Sequence, residues 1–219
     1  MEENRFKLID IFYGVIIPLI LAFLIFFLAV YINPSGEKHW LGQAGTLGTV
    51  AVILSQGFAQ MIILGVPLVL GLLWNKWAGG AAGFIMGGMY YVAQAGQYNG
   101  IYAASGVTTY NFFGDISLLF WLVNGVIIGY IAGSLANGST NFKRMLGAGL
   151  TAALLTAFIQ AYLNYYWSLA PARGMAQQMW ATNIGEAILI AFVPNIALGV
   201  IVPILAKVMT WYGLQPMRH

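Results

Sequence analysis

The chain has no cysteine in its 219 residues, so it holds no disulfide, no thiolate metal site and no cysteine nucleophile. Charge is scarce as well. Only 7% of residues are Asp, Glu, Lys or Arg, where a soluble domain carries about 25%. That is too little polar surface to cover a globule in water. Histidine is limited to His39 and His219. No HExxH or other His–carboxylate set is present, and no Ser–His–Asp arrangement. There is no GxxxxGK[ST] stretch, which excludes nucleotide hydrolysis by a P-loop. Asp115 and Glu186 fall at the outer ends of expected membrane segments, and neither has a basic partner deep in a span. An ion-coupled transporter commonly shows a clearer relay, and the chain is short for one built of inverted repeats. No catalytic residue, metal or cofactor is expected. The net charge of +3 is small, and no nucleic-acid partner is expected.

What the chain does have is apolar sequence in long runs, 60% of the whole. A helical span needs about 20 mainly apolar residues. Six such runs stand out, at Ile11–Ile32, Leu47–Leu73, Ala78–Ala95, Ile116–Leu135, Met145–Tyr166 and Asn183–Thr210. They are continuous, unlike the ~10-residue alternating segments of a membrane barrel. The run from Ile11 exceeds the cleavable core of a signal peptide, roughly 7–15 residues, and reads as a retained first span. The expected fold is all-α, a single six-helix integral membrane domain over residues 1–219.

Lys and Arg placement orients the bundle. Arg5, Lys7, Lys76, Lys143, Arg144, Lys207 and Arg218 fall on one side, with Lys38 and Arg173 on the other. The first side, which carries both termini, is expected to be cytoplasmic, in a multi-pass protein of the plasma membrane. Tryptophan prefers the membrane–water interface. Trp40, Trp167 and Trp180 fall at outer span ends, Trp74, Trp77 and Trp211 at inner ends, and Trp121 alone inside a span. Inner connections are short ("WNKW", "NGSTNFKR"). Outer ones are longer, as in "GQYNGIYAASGVTTYNFFGD", and long loops on one face are often binding loops or lids.

Small residues recur at four-residue spacing: Gly79, Gly83 and Gly87, then Gly125, Gly129 and Gly133, then Gly149, Ala153, Ala157 and Ala161. Such spacing puts them on one helix face, where they let backbones approach in lipid. Two uses stand open: packing within the bundle, or docking of another membrane subunit along Gly125, Gly129 and Gly133.

Polar residues interrupt the spans. Gln56 and Gln60 lie in the second, Gln94 and Gln97 at the outer end of the third, Asp115 and Asn124 in the fourth, Gln160 and Asn164 in the fifth, and Asn183, Glu186 and Asn195 in the sixth. Most cluster in the outer half. Gln160 and Asn164 share a helix face, as do Asn183 and Glu186. Tyr90, Tyr91, Trp121, Tyr162 and Tyr165 add aromatic surface at similar depth. Convergent polar groups among aromatic walls describe a small-molecule pocket. The candidate substrate-binding set is Glu186, Asn183, Asn164, Gln160, Trp121, Gln94, Tyr91 and Asp115. Local roles compete with it. Asp115 in "FFGDIS" suits a helix cap, Glu186 suits the first turn of its helix, and Asn195 suits carbonyls freed by Pro194.

Three stretches carry a resemblance: "GLLWNKWAGGAAGFIMGGMYYV", "NGVIIGYIAGSLANGSTNFKRMLGAGLTAALLTAFIQAYLNYYW" and "FVPNIALGVIVPILAKVM". Through them the chain resembles the substrate-binding S components of energy-coupling-factor (ECF) vitamin transporters, six-helix membrane proteins with both ends cytoplasmic. Where that family often carries Ala-x-x-x-Ala in its first span, this chain has Gly14, Pro18 and Ala22. The resemblance implies a substrate bound in the outer half. It also implies partners: a transmembrane scaffold subunit and cytoplasmic ATPases, in contact with membrane lipid. Two acidic residues and few outer bases favour a neutral or cationic micronutrient. The competing expectation is a non-catalytic accessory subunit of a larger membrane complex, with its polar residues used only for helix packing.

Overall fold

A computed structural model of the chain describes residues 15–20, 23, 61–104, 111–167 and 181–213, with backbone alone at 97, 100–104, 164, 186, 187 and 190. Every regular element among the described residues is helical. Helix α1 is Met61–Leu73. Then come α2 (Lys76–Ala104), two 3-10 turns (Phe112–Gly114 and Ile116–Leu119), α3 (Phe120–Ala136), α4 (Phe142–Tyr166) and α5 (Ile184–Trp211). Three helical segments are long and apolar enough to cross a membrane: Ile116–Ala136, Phe142–Leu163 and Ala191–Trp211. These match the expected fourth, fifth and sixth spans. Most of the expected first span, the start of the second, Gln56 and Gln60 lie outside the described residues.

The third expected span is longer than its apolar run. α2 continues through Gly96, Asn99 and Gly100 to Ala104, across residues read above as an outer loop. The reason is tertiary. The chain returns at residues 111–115 and clamps the C-terminal end of α2. The Phe112 amide donates to the Asn99 side-chain oxygen at 2.9 Å, and the Tyr91 hydroxyl donates to the Phe113 carbonyl. Phe112 is fully buried, with its ring 5.5 Å from that of Tyr98.

One core joins all five helices. It runs from Ile63, Leu68 and Leu72 on α1 through Met86 on α2, Ile128 on α3 and Ala152 on α4 to Leu198 and Val202 on α5. The glycine stripes set the spacing around it. α2 and α3 run antiparallel with Gly79 facing Gly129 and Gly83 facing Gly125. A methyl built on Gly125 would lie 2.6 Å from the Gly83 carbonyl oxygen, and one on Gly79 would lie 2.7 Å from the Gly129 oxygen. Gly133 faces the Lys76 backbone in the same interface. Gly125, Gly129 and Gly133, open above to packing or to partner docking, are all buried inside the bundle against α1 and α2, which fits packing and leaves no free docking face on them.

α4 and α5 pair in the same way. Gly149 faces the Pro203 ring, and Gly199 faces Ala153. Pro203 has no N–H, so the Gly199 carbonyl loses its intrahelical donor. A methyl built on Gly149 would stand 3.0 Å from that carbonyl oxygen, so the small residue makes the close approach fit.

Residues 137–141 join α3 to α4. Asn137 sits in the left-handed region at φ 44° and ends α3 by donating its N–H to the Gly133 carbonyl, and Asn141 caps α4 by accepting from the Lys143 amide at 3.0 Å. Left-handed backbone costs an ordinary L-residue roughly 1–2 kcal/mol, and glycine or asparagine little. Asn137→Gly is expected to leave thermal stability in detergent unchanged, and Asn137→Val to lower it by about 1–2 kcal/mol.

Candidate functional site

The candidate residues resolve into two polar groups on two helix pairs. The first lies between α2 and α3. Trp121 is buried, with its ring edge-on to Tyr90 at 4.7 Å and tilted against Phe120 at 4.3 Å. Tyr90 shares a hydrogen bond with the side chain of Gln94, itself buried. This aromatic layer forms because α2 and α3 are held close by glycine one turn further in. Gly87 faces the Trp121 backbone, so the two rings meet just outward of the contact.

One turn inward from Trp121 on α3 is Asn124. It is 0% exposed, and neither its Oδ1 nor its Nδ2 has a hydrogen-bond partner among the described residues. An unpaired buried carboxamide costs about 1–3 kcal/mol. Native structures rarely leave one without a reason.

The second group lies between α4 and α5 and is closed on itself. The Asn195 amide donates to the Gln160 oxygen at 2.7 Å and to the Ala191 carbonyl at 2.8 Å. The Thr156 hydroxyl lies 3.4 Å from the Asn195 oxygen and donates at 2.8 Å to the Ala153 carbonyl. The carbonyl that Pro194 leaves without an intrahelical donor is that of Ile190; Asn195 bonds instead to the next one, Ala191, and also reaches across to α4. Counted outward from the 137–141 turn, Asn124 and Thr156 stand at nearly the same height, so the two groups share a depth in the bundle. Leucine at Asn195 is expected to destabilise the α4–α5 pair. A double-mutant cycle with Gln160→Leu should give a coupling of about 0.6 kcal/mol, the usual size for such bonds in membrane bundles.

The remaining candidates separate from these groups. Asp115 caps the 3-10 turn that leads into α3. One carboxylate oxygen accepts from the Ser117 amide at 2.8 Å and from its hydroxyl at 2.6 Å. Tyr91 holds the Phe112–Gly114 turn. Asn183 is exposed at the start of α5 and makes no side-chain cap. Asn164 and Glu186 lie within helices, and their side chains fall outside the described residues. Asn124, Thr156 and Asn195 are absent from the candidate set read from sequence. Asn124 has a signal that could have placed it there: it lies at four-residue steps from Ile128, Ala132 and Ala136, all buried, on the inward face of α3. No cluster of three or more His, Asp or Glu residues occurs among the described residues.

Comparison with family models, with curated proteins and with solved structures finds no match to this chain.

Proposed function

We propose that this chain is a multi-pass, substrate-binding subunit of the plasma membrane that takes up a neutral, vitamin-like micronutrient from the outer face. It performs no catalysis. Energy comes from a scaffold subunit and cytoplasmic ATPases, as in the ECF S components it resembles. The observation that carries the reading is Asn124, a fully buried carboxamide whose donor and acceptor both lack a partner among the described residues. It lies one helical turn along α3 from Phe120 and Trp121, whose rings pack with each other and with Tyr90. A neutral ligand with adjacent donor and acceptor would satisfy both atoms at once, and the rings would flank its apolar part. Neutrality fits because the one charged side chain buried among the described residues, Asp115, already accepts from the Ser117 amide and hydroxyl at the turn before α3. The scaffold would meet a face other than Gly125–Gly129–Gly133.

A second reading, an accessory subunit held in a larger complex, draws on the closed Thr156–Asn195–Gln160 group. Those polar residues are spent on helix pairing. Gentle purification from cells, with mass spectrometry of co-purifying small molecules and proteins, separates the two. A stoichiometric small molecule is expected. Stable large partners with no ligand would favour the accessory reading.

A further inference from the structure

Every Lys and Arg among the described residues lies at one end of the bundle: Lys76, Lys143, Arg144 and Lys207. Three stand beside the α3–α4 connection, two of them held there by hydrogen bonds. The Arg144 Nε donates to the Leu135 carbonyl at 3.0 Å, and the Lys207 Nζ donates from α5 to the Thr140 carbonyl at 2.9 Å. Lys143 is exposed at the first turn of α4, where backbone amides add partial positive charge. These hydrogen bonds fix two of the cations in place, and carbonyl partners leave their charge unneutralised. Lys76 sits on the same end, its Nζ 5.7 Å from the ring centroids of both Trp77 and Tyr130. The one carboxylate described with its side chain, Asp115, is at the opposite end.

This charge adjoins an apolar surface. Ile201, Ile204 and Leu205 are exposed on α5 within two turns of Lys207, and Trp77 and Trp211 are exposed at the rim. We infer that this end binds an anionic phospholipid. Lys143, Arg144 and Lys207 take the headgroup phosphate, and the chains lie against the exposed face of α5. The pairing of a cation cluster with adjoining apolar surface is what selects a lipid. A soluble anion would use the first and leave the second bare. The inference rests on membrane placement alone and is independent of the transport reading.

The test is native mass spectrometry of the full chain in detergent, titrated with phosphatidylglycerol or with phosphatidylcholine. Preferential retention of phosphatidylglycerol is expected, weakening as salt rises. Lys143→Gln and Arg144→Gln should each lower its retention about five-fold, from roughly 1 kcal/mol per basic residue near an anionic surface. Arg144→Lys should retain it, which separates charge from a purely structural role. Equal retention of the two lipids, or no dependence on salt or on these charges, would overturn the inference. So would competition by inorganic phosphate at concentrations similar to the lipid. The salt and headgroup comparisons use the unmodified chain and decide the matter even where a variant fails to fold.

Discussion

Gly83→Leu is expected to leave little folded protein after mild heating. A side chain at this position points at the Gly125 carbonyl group and the Val126 amide of α3. These are backbone atoms and cannot rotate aside, so α2 and α3 must separate. One extra methyl in a packed core costs about 1–3 kcal/mol, and leucine adds three more carbons. The total is comparable with the whole stability of a typical domain, about 5–15 kcal/mol. Gly83→Ala should therefore shift the melting point clearly, and Gly83→Leu should remove the monodisperse peak on size exclusion. Gly147 provides the control. It is a helical glycine of α4 with open space where its Cβ would stand, so Gly147→Ala should be neutral or stabilise by up to about 1 kcal/mol. Equal effects at the two sites would show that α2 and α3 do not meet through this stripe.

The second large effect is at Asn124, and its sign differs with and without ligand. Leucine has the same branching and the same number of side-chain heavy atoms, and no polar atoms. In the ligand-free protein Asn124→Leu should raise stability by about 1–3 kcal/mol, since an unpaired carboxamide is removed from an apolar core. Asn124→Asp should lower it by up to about 3 kcal/mol, since a carboxylate would then have to be buried or protonated at mid-depth. For ligand binding both substitutions should be harmful, because each destroys the matched donor and acceptor. A residue that gains stability and loses binding when changed is the signature of a site. A residue that only packs helices would lose stability.

Span ends were legible in sequence because charge and tryptophan mark them. Lys76, Trp77, Lys143, Arg144, Lys207 and Trp211 were assigned to one side, and in the structure they lie at one end of the described helices. The α2 overrun was not legible. Gly96, Gln97 and Gly100 look like loop residues, and what keeps them helical is Phe112, which returns from beyond the helix to meet Asn99 and Tyr98. The glycine stripes were readable as stripes, because four-residue spacing defines a face. Their partners were not, because spacing on one helix says nothing about which helix comes to meet it. For Gly125, Gly129 and Gly133 spacing thus leaves both packing and docking open, and only the structure shows that Gly83, Gly79 and Lys76 cover them.

The candidate site shows the same division. Asp115 could be read as a cap from "FFGDIS", since the capping partner, Ser117, is two residues away. Gln160 was placed with Asn164 by helical spacing, yet its bond is to Asn195, 35 residues on and on another helix. Local chemistry is written locally. Cross-helix pairing, and the lack of pairing at Asn124, emerge only once five helices share a core.

The central claim is that Asn124 is satisfied by a bound small molecule. The direct measurement is the amount of small molecule retained per chain by the wild type and by Asn124→Leu, purified side by side under gentle conditions and quantified by mass spectrometry. The account predicts about one molecule per wild-type chain and at least a ten-fold loss in Asn124→Leu, as follows from about 1.4 kcal/mol or more of lost hydrogen bonding, with the variant folded and more heat-resistant when both are ligand-free. Equal retention by the two proteins, or a wild type that carries no small molecule while Asn124→Leu is less stable, would contradict it.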